Sequence, residues 1–300
     1  MKRNTDWDRV LLGELMWRAE ELGLTDLQKA VAFIELNGNL IERARLSSIL
    51  WGEPPSREVL KEVGKLQKPD GGFAYWCPEL GNLCDTAYIL QWLDDLGSHH
   101  NEMAGRACRF LLDRQREDGG WDEVDDVRRY SCPEWMTPGR LATRTWLTGF
   151  CSHMLIRFGF AEAPGTRCPT DFLLSHCDET GRIRGYLRAT WLSLPMLAFY
   201  PGPQSEAYRR ALSVIEVNYS DAWRGAYLAW LLRCLQDAQV PSDHRLVTRA
   251  VNDLKRQQRP DGSWEPEPGE GEEHAVNATV SALRALHAYG RTTLRGMRQY

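Results

Sequence analysis

The sequence predicts an all-α fold, a closed ring of about six helical hairpins, and three observations carry that prediction. A seven-residue phrase occurs three times at one internal spacing, as QKPDGGF (67–73), QREDGGW (115–121) and QRPDGSW (258–264). The first two copies start 48 residues apart and the last two 143, close to three units, so two degenerate copies are expected between them. One reads CDETGRI at 177–183 and a fainter one ends in SDAW at 220–223. Finally, each phrase stands between two helical patterns of different character.

Along the chain, WDRVLLGELMWRAEELG, DLQKAVAFIEL and LIERARLSSILWG fall within residues 6–52 and are candidate helices of a first, divergent unit. Five further units begin near residues 56, 100, 166, 204 and 242. Before each well-formed phrase comes an amphipathic segment, SREVLKEVGKL, AGRACRFLLDR or LVTRAVNDLKR, with apolar residues at helical spacing and one charged face. After it comes a more apolar segment, DTAYILQWLDDLG, LTGFCSHMLIRFG or ATVSALRALHAYG, ending at a glycine as a helix C-terminus should. Thr86, Thr148 and Thr279 each lie eleven residues before that glycine, which supports the alignment. An apolar helix cannot be buried by one amphipathic partner, whereas stacked pairs bury it between an outer and an inner layer. Six pairs close into an α/α toroid (an α6–α6 barrel), so residues 1–300 are expected to form one domain, with 1–55 as divergent N-terminal helices and 56–290 as five repeats.

Composition narrows the function classes. With 43% apolar residues the chain can bury a sizeable core, and its negative mean hydropathy and short apolar runs argue against a membrane span. The N-terminal MKRNTDWDRVLLGELMW carries acids and no small-residue cleavage site, unlike a signal peptide. A net charge of −4 gives no support to a nucleic-acid partner. The eight cysteines are scattered without a C-x-x-C pair, a pattern expected of reduced thiols in a cytoplasmic protein.

The phrase Q-x-x-x-G-x-W resembles the QW motif of the squalene–hopene and oxidosqualene cyclases, shared with the β subunits of protein prenyltransferases. The resemblance covers residues 56–290 and implies a structural clasp: Gln ends an outer helix, the glycines turn the chain, and the aromatic ring packs on a neighbouring repeat. It also implies a site in the central cavity, at the end where the inner helices start.

Three stretches can be compared with what that family uses. Protein prenyltransferases hold zinc with Asp-x-Cys on one inner helix and His on another. Here Arg224, Ala226 and Asn277 or Ala278 stand at those places, and arginine and alanine cannot ligate zinc. Cyclases protonate their substrate with the middle carboxyl of D-x-D-D leading into an inner helix. The matching Asn82-Leu83-Cys84-Asp85 keeps only the last acid, and a thiol such as Cys84 is far too weak to protonate an alkene. Asp85 is therefore a candidate acid, its alternative role being a helix N-cap. The stretch WDEVDDVRRYSCPEWMTPGR (121–140) is nearly twice as long as its counterparts, as lids and binding loops often are. Its Asp125 and Asp126 are further candidate acids, and Asp122, Glu123 and Asp126 are a candidate Mg²⁺ set, set against a solvated loop paired with its own arginines.

Arg144, Arg188 and Arg224 all fall near inner-helix starts and are candidate ligands for an anionic head group, which helix N-termini also favour. Tyr88, Trp92, Trp146, Phe150, Trp191, Tyr227 and Trp230 are candidate walls for an isoprenoid chain, because ring faces stabilise a carbocation. The leading expectation is a terpene-cyclase-like enzyme binding a prenyl diphosphate or similar isoprenoid and catalysing cyclisation or another carbocation step. The alternatives are a non-catalytic toroid binding a lipid, peptide or protein, and another α/α-toroid enzyme such as a glycosidase. A glycosidase would need two facing carboxylates.

Overall fold

The computed structural model describes residues 26–130, 132–163, 168–267 and 269–289. The candidate helix at 7–23 lies outside the described residues. Each phrase folds as the turn its residues demand. Gly71, Gly119, Gly181 and Gly262 adopt φ between 85° and 97°, which only glycine takes readily. The aromatic that ends each phrase donates its backbone N–H to a threonine on the next helix: Phe73 to Thr86, Trp121 to Thr148 and Trp264 to Thr279. The degenerate copy at 177–183 does the same, Ile183 donating to Thr190. In addition, Trp121 and Trp264 donate their indole N–H to Leu111 and Leu254 at the end of the preceding helix, both at 2.7 Å.

Among the described residues, twelve α-helices form six hairpins, each an outer helix followed by an inner one. They are α1 (Asp26–Asn37) with α2 (Leu40–Trp51), α3 (Arg57–Gly64) with α4 (Leu83–Asp95), and α5 (Glu102–Leu112) with α6 (Leu141–Arg157). Then come α7 (Pro169–Ser175) with α8 (Leu187–Phe199), α9 (Glu206–Val217) with α10 (Gly225–Asp237), and α11 (Arg245–Arg256) with α12 (Ala275–Ala288). The inner helices α2, α4, α6, α8, α10 and α12 pack in that order, and α12 returns to α2.

The clasp between repeats is a side chain bonded to backbone carbonyls. Gln67 donates through Nε2 to the carbonyl of Gly71 in its own turn and to that of Met103 on α5, the next outer helix. A Cβ on Gly72 would come within 2.5 Å of the Phe110 ring, and one on Gly120 within 2.9 Å of Phe172. The last phrase closes the ring, because Gln258 donates to Gly262 and to the carbonyl of Asp26 at the start of α1. Residues 26–51 thus supply the sixth hairpin.

The cysteine reading needs a correction. Cys77 and Cys132 are joined as a disulfide across 55 residues, although Cys84, Cys108, Cys151, Cys168, Cys177 and Cys234 are free. The pairing links two loops, so no local cysteine spacing announces it. None of the described helices is long and apolar enough to cross a membrane.

Candidate active site

A cavity of about 80 Å³ lies on the ring axis at the N-terminal ends of the inner helices. A larger vestibule of about 380 Å³ adjoins it, and Trp135, Trp146, Arg188 and Glu267 line both. The cavity wall is aromatic: Tyr88, Trp146, Phe150 and Trp230 come from inner helices, with Trp76 and Trp135 from the loops above. Each of those loop tryptophans stands close in sequence to one of the bridged cysteines, so the Cys77–Cys132 link ties together the two loops that roof the cavity.

Not every expected aromatic reaches this space. Trp92 lies behind Tyr88, edge-on to it and beneath Arg45. Trp191 is fully buried, stacked on Trp223 at 5.5 Å. Tyr227 faces the vestibule. The helix register decides this, since one residue along an α-helix turns a side chain by roughly 100°.

The three arginines likewise part company. Arg188 lines both cavity and vestibule, pairs with Glu267 at 2.6 Å and lies over the rings of Tyr227 and Trp230 at 4.5 and 5.0 Å. Arg144 is instead held outside the cavity by Asp118 at 2.6 Å and by the Phe172 ring. Arg224 is half exposed and reaches Glu265 only at 3.7 Å. The cavity's other guanidinium groups, Arg233 and Arg284, lie deeper and were not singled out in the sequence.

The acidic loop does not form a metal site. Asp125 and Asp126 sit on an exposed turn and pair with Arg128 and Arg129, three residues on. Asp122 is turned inward to Arg116 and to the backbone N–H of Gly139, closing the loop on itself. Glu123 is buried elsewhere, at the start of α4. The three expected Mg²⁺ ligands therefore point apart, and among the described residues no group of His, Cys, Asp or Glu side chains could hold a metal. Asp125 and Asp126 are also removed as candidate acids, since neither lines the cavity.

At the start of α4 the residues carry roles that the sequence did not separate. Asn82 is the N-cap, its side chain accepting the Asp85 N–H at 2.8 Å. Asp85 caps nothing; its carboxylate accepts the N–H of Tyr75 at 2.6 Å and of Cys77 at 3.3 Å, and a bond from Asn82. Burial raises its pKa against those hydrogen bonds. Glu123, from the long loop, accepts the N–H of Leu83 and of Cys84, both at 2.9 Å, and burial pushes its carboxyl up to about 7. Cys84 alone of this group lines the cavity. Burial, then the Asp85 and Glu123 carboxylates, drive its thiol well above the ordinary range.

Two carboxyls that do line the cavity, Glu267 and Glu270, lie in the loop before α12. Glu270 accepts the backbone N–H of Glu267 at 3.1 Å. Burial and then the charge of Glu267 raise its pKa, favouring the protonated acid. Their signal in the sequence is their position: like Trp76 and Trp135, they fall between a phrase and the following inner helix.

No protein-family profile matches the sequence. A squalene–hopene cyclase of Zymomonas mobilis is 24% identical over 256 residues, covering 78% of this chain and 33% of the relative. A lanosterol synthase of Aspergillus fumigatus is 37% identical over 71 residues, covering 22% and 9%. The type II terpene cyclase MstE from Scytonema superposes with a TM-score of 0.59 at 16% identity, covering 89% of this chain and 98% of that one. The chain has the α/α-toroid fold of that terpene cyclase. A protein from Actinoplanes shares the fold at TM-score 0.62 and 18% identity, covering 88% of this chain and 98% of that one. A variant of the Scytonema enzyme, similar at TM-score 0.60 and 16% identity over 89% and 97% of the two chains, was solved with its substrate, geranylgeranyl dihydroxybenzoate. This toroid spans about one third of the length of the squalene–hopene cyclase it matches.

Proposed function

We propose that this toroid is an enzyme that takes an isoprenoid small molecule into its central cavity and catalyses a carbocation step, cyclisation started by protonation. The observation that carries the reading is the meeting of a protonation-favouring carboxyl, Glu270, with an aromatic wall in one cavity. A carboxyl whose pKa is raised, first by burial and then by the charge of Glu267, favours its protonated form, the first requirement of a general acid. Tyr88, Trp146, Phe150 and Trp230 then supply ring faces, each worth roughly 0.5–2 kcal/mol to a cation held against it. The Cys84 thiol occupies the place of the family's acid without its strength, and Asp85 works behind the wall as an anchor for the loop that carries Trp76.

A farnesyl-sized tail needs more room than the cavity alone gives, so the shared wall of Trp135 and the Arg188–Glu267 pair must swing for cavity and vestibule to join. A prenyl diphosphate is a weaker fit than an isoprenoid with a smaller head, because only Arg188 of the three expected arginines faces inward and the carboxylates of the acidic loop point apart. The second reading, a toroid that binds without turnover, is favoured by Cys84 standing where a carboxyl is expected.

The test is incubation of the full chain with farnesol, farnesyl diphosphate and geranylgeranyl dihydroxybenzoate, followed by thermal shift and mass-resolved product analysis. A cyclised isomer of the substrate, lost at least about a hundredfold in Glu270→Gln, supports the reading. Binding without any isomer moves the conclusion to the second reading, and no thermal shift with any of them overturns both.

A further inference from the structure

The cavity has two polar ends. Gln91, Arg233 and Arg284 line its floor, each seven residues below Cys84, Ala226 and Asn277 at the mouth on α4, α10 and α12. Seven residues are two helical turns, roughly 10 Å. At and beneath this floor four guanidinium groups (Arg233 and Arg284 in it, Arg45 and Arg157 below) face three carboxylates (Asp94, Asp95 and Asp237), so positive charge is in excess before either His99 or His153 is counted.

The floor also holds donors that its own acids leave unmet. Arg233 spends its Nη atoms on Asp94 and Asp95, while its Nε is buried without a partner. Nε2 of Gln91 is buried and unpartnered too, and so is the indole nitrogen of Trp230, one turn above Arg233. Arg233 and Gln91 are 6% and 8% exposed. Arginine Nε, the amide nitrogen and the indole nitrogen only donate, and buried donors without acceptors are unfavourable.

We infer that the floor is a head-group subsite for a carboxylate, and that the ligand is an isoprenoid acid entering head first between Gln91 and Arg233. The inference rests on reading the cavity as an isoprenoid site. It also gives the ligand a direction, because a head on the floor leaves the far end of the tail at the mouth, beside Glu270 and Cys84. Protonation then begins at the end of the chain remote from the carboxylate.

Farnesoic acid and farnesol share a tail and differ in the head, so their affinities for the full chain, read by calorimetry, separate the two ideas. The expected result is that the acid binds at least about tenfold more tightly than the alcohol. Gln91→Leu and Gln91→Glu, each checked for its helical circular dichroism, should abolish that ratio by weakening the acid far more than the alcohol. Arg188→Ala, at the mouth, should leave the ratio intact. Equal affinity for acid and alcohol, a ratio that survives both Gln91 variants, or one lost only in Arg188→Ala would overturn the floor subsite with the isoprenoid cavity still standing. Binding of neither ligand would remove both.

Discussion

The Glu123 carboxylate accepts the backbone N–H of Cys84 at 2.9 Å, so a side chain from one loop caps the helix that presents the cavity's thiol. Together with its bond to the Leu83 N–H, this contact satisfies two of the donors that a helix start leaves open. A single carboxylate thereby fixes both the entry of α4 and the root of the 122–140 loop.

That arrangement has a pH signature. The Glu123 carboxyl is pushed from 4.5 up to about 7, first by burial and against the hydrogen bonds from Leu83, Val124 and Cys84. An acid whose folded pKa is raised favours the fold fully below its unfolded value and loses that contribution as pH rises to its folded value. The difference amounts to about 3 kcal/mol between pH about 4.5 and 7. Glu123→Gln removes the titration, so the stability of the wild type relative to the variant should fall by about that amount across this window and stay flat above it. Urea unfolding at several pH values measures it; a difference independent of pH would refute the assignment.

Cys84 offers a gain-of-function test. The burial and neighbouring carboxylates that raise its thiol would also raise the pKa of a carboxyl at the same place, favouring its protonated form. Cys84→Asp should therefore increase formation of cyclised product, by up to about 10²–10⁴-fold if acid strength is what limits the wild type. Product analysis under single-turnover conditions reads this directly. No increase in a folded, ligand-binding variant would mean that Glu270 already supplies the proton or that no protonation occurs.

The ring was legible in the sequence because its turns are local: Gln, Gly and an aromatic at fixed spacing specify the clasp, and Thr86, Thr148 and Thr279 mark its receiving helix. The cavity was legible only in outline. Arg144 and Arg224 lie near inner-helix starts like Arg188, but a register of one or two residues sends them to Asp118 and towards Glu265. Asp85 was open to reading as an acid or a cap because a lone carboxylate at a helix start suits either role; Asn82, three residues earlier, takes the cap, and Asp85 anchors a loop. Glu123 was hidden among four acids, and only the contact with residues 39 and 40 positions away in sequence distinguishes it. Trp76, Trp135, Glu267 and Glu270 lie in loops without periodicity, where sequence patterns say least about direction.

The floor of the ring should be acid-labile. His153 and Asp237 meet at 2.7 Å in a buried pair, and Asp237 is held at about 2 against burial by His153, Arg284 and Arg157. A carboxylate with a depressed pKa contributes stability above its unfolded value of 3.8 and loses it as pH falls through about 2. Asp237→Asn should cost about 2 kcal/mol at pH 7, with the difference shrinking towards zero near pH 2. Paired denaturant titrations at pH 7 and pH 3 check this, and an undiminished difference at pH 3 would contradict it.

Ring closure rests on Gly262. Its φ of +89° already disfavours other residues, and a Cβ there would lie 2.3 Å from the carbonyl carbon of Lys29 and 2.6 Å from the amide nitrogen of Ala30. Those atoms are α1 backbone, which cannot move aside as a flexible side chain would. Gly262→Ala should therefore destabilise the protein by more than about 2 kcal/mol, combining overpacking with backbone strain. Gly52→Ala is the control, since φ is +68° there and nothing lies within 4 Å, leaving strain of about 1 kcal/mol alone. Hydrogen exchange should locate the damage: amides around Ala30 and Ile34 in α1 lose protection, whereas α6 and α8, on the opposite arc, keep theirs. Uniform loss around the ring would mean that the hairpins unfold as one unit and that closure onto α1 adds no separate local stability.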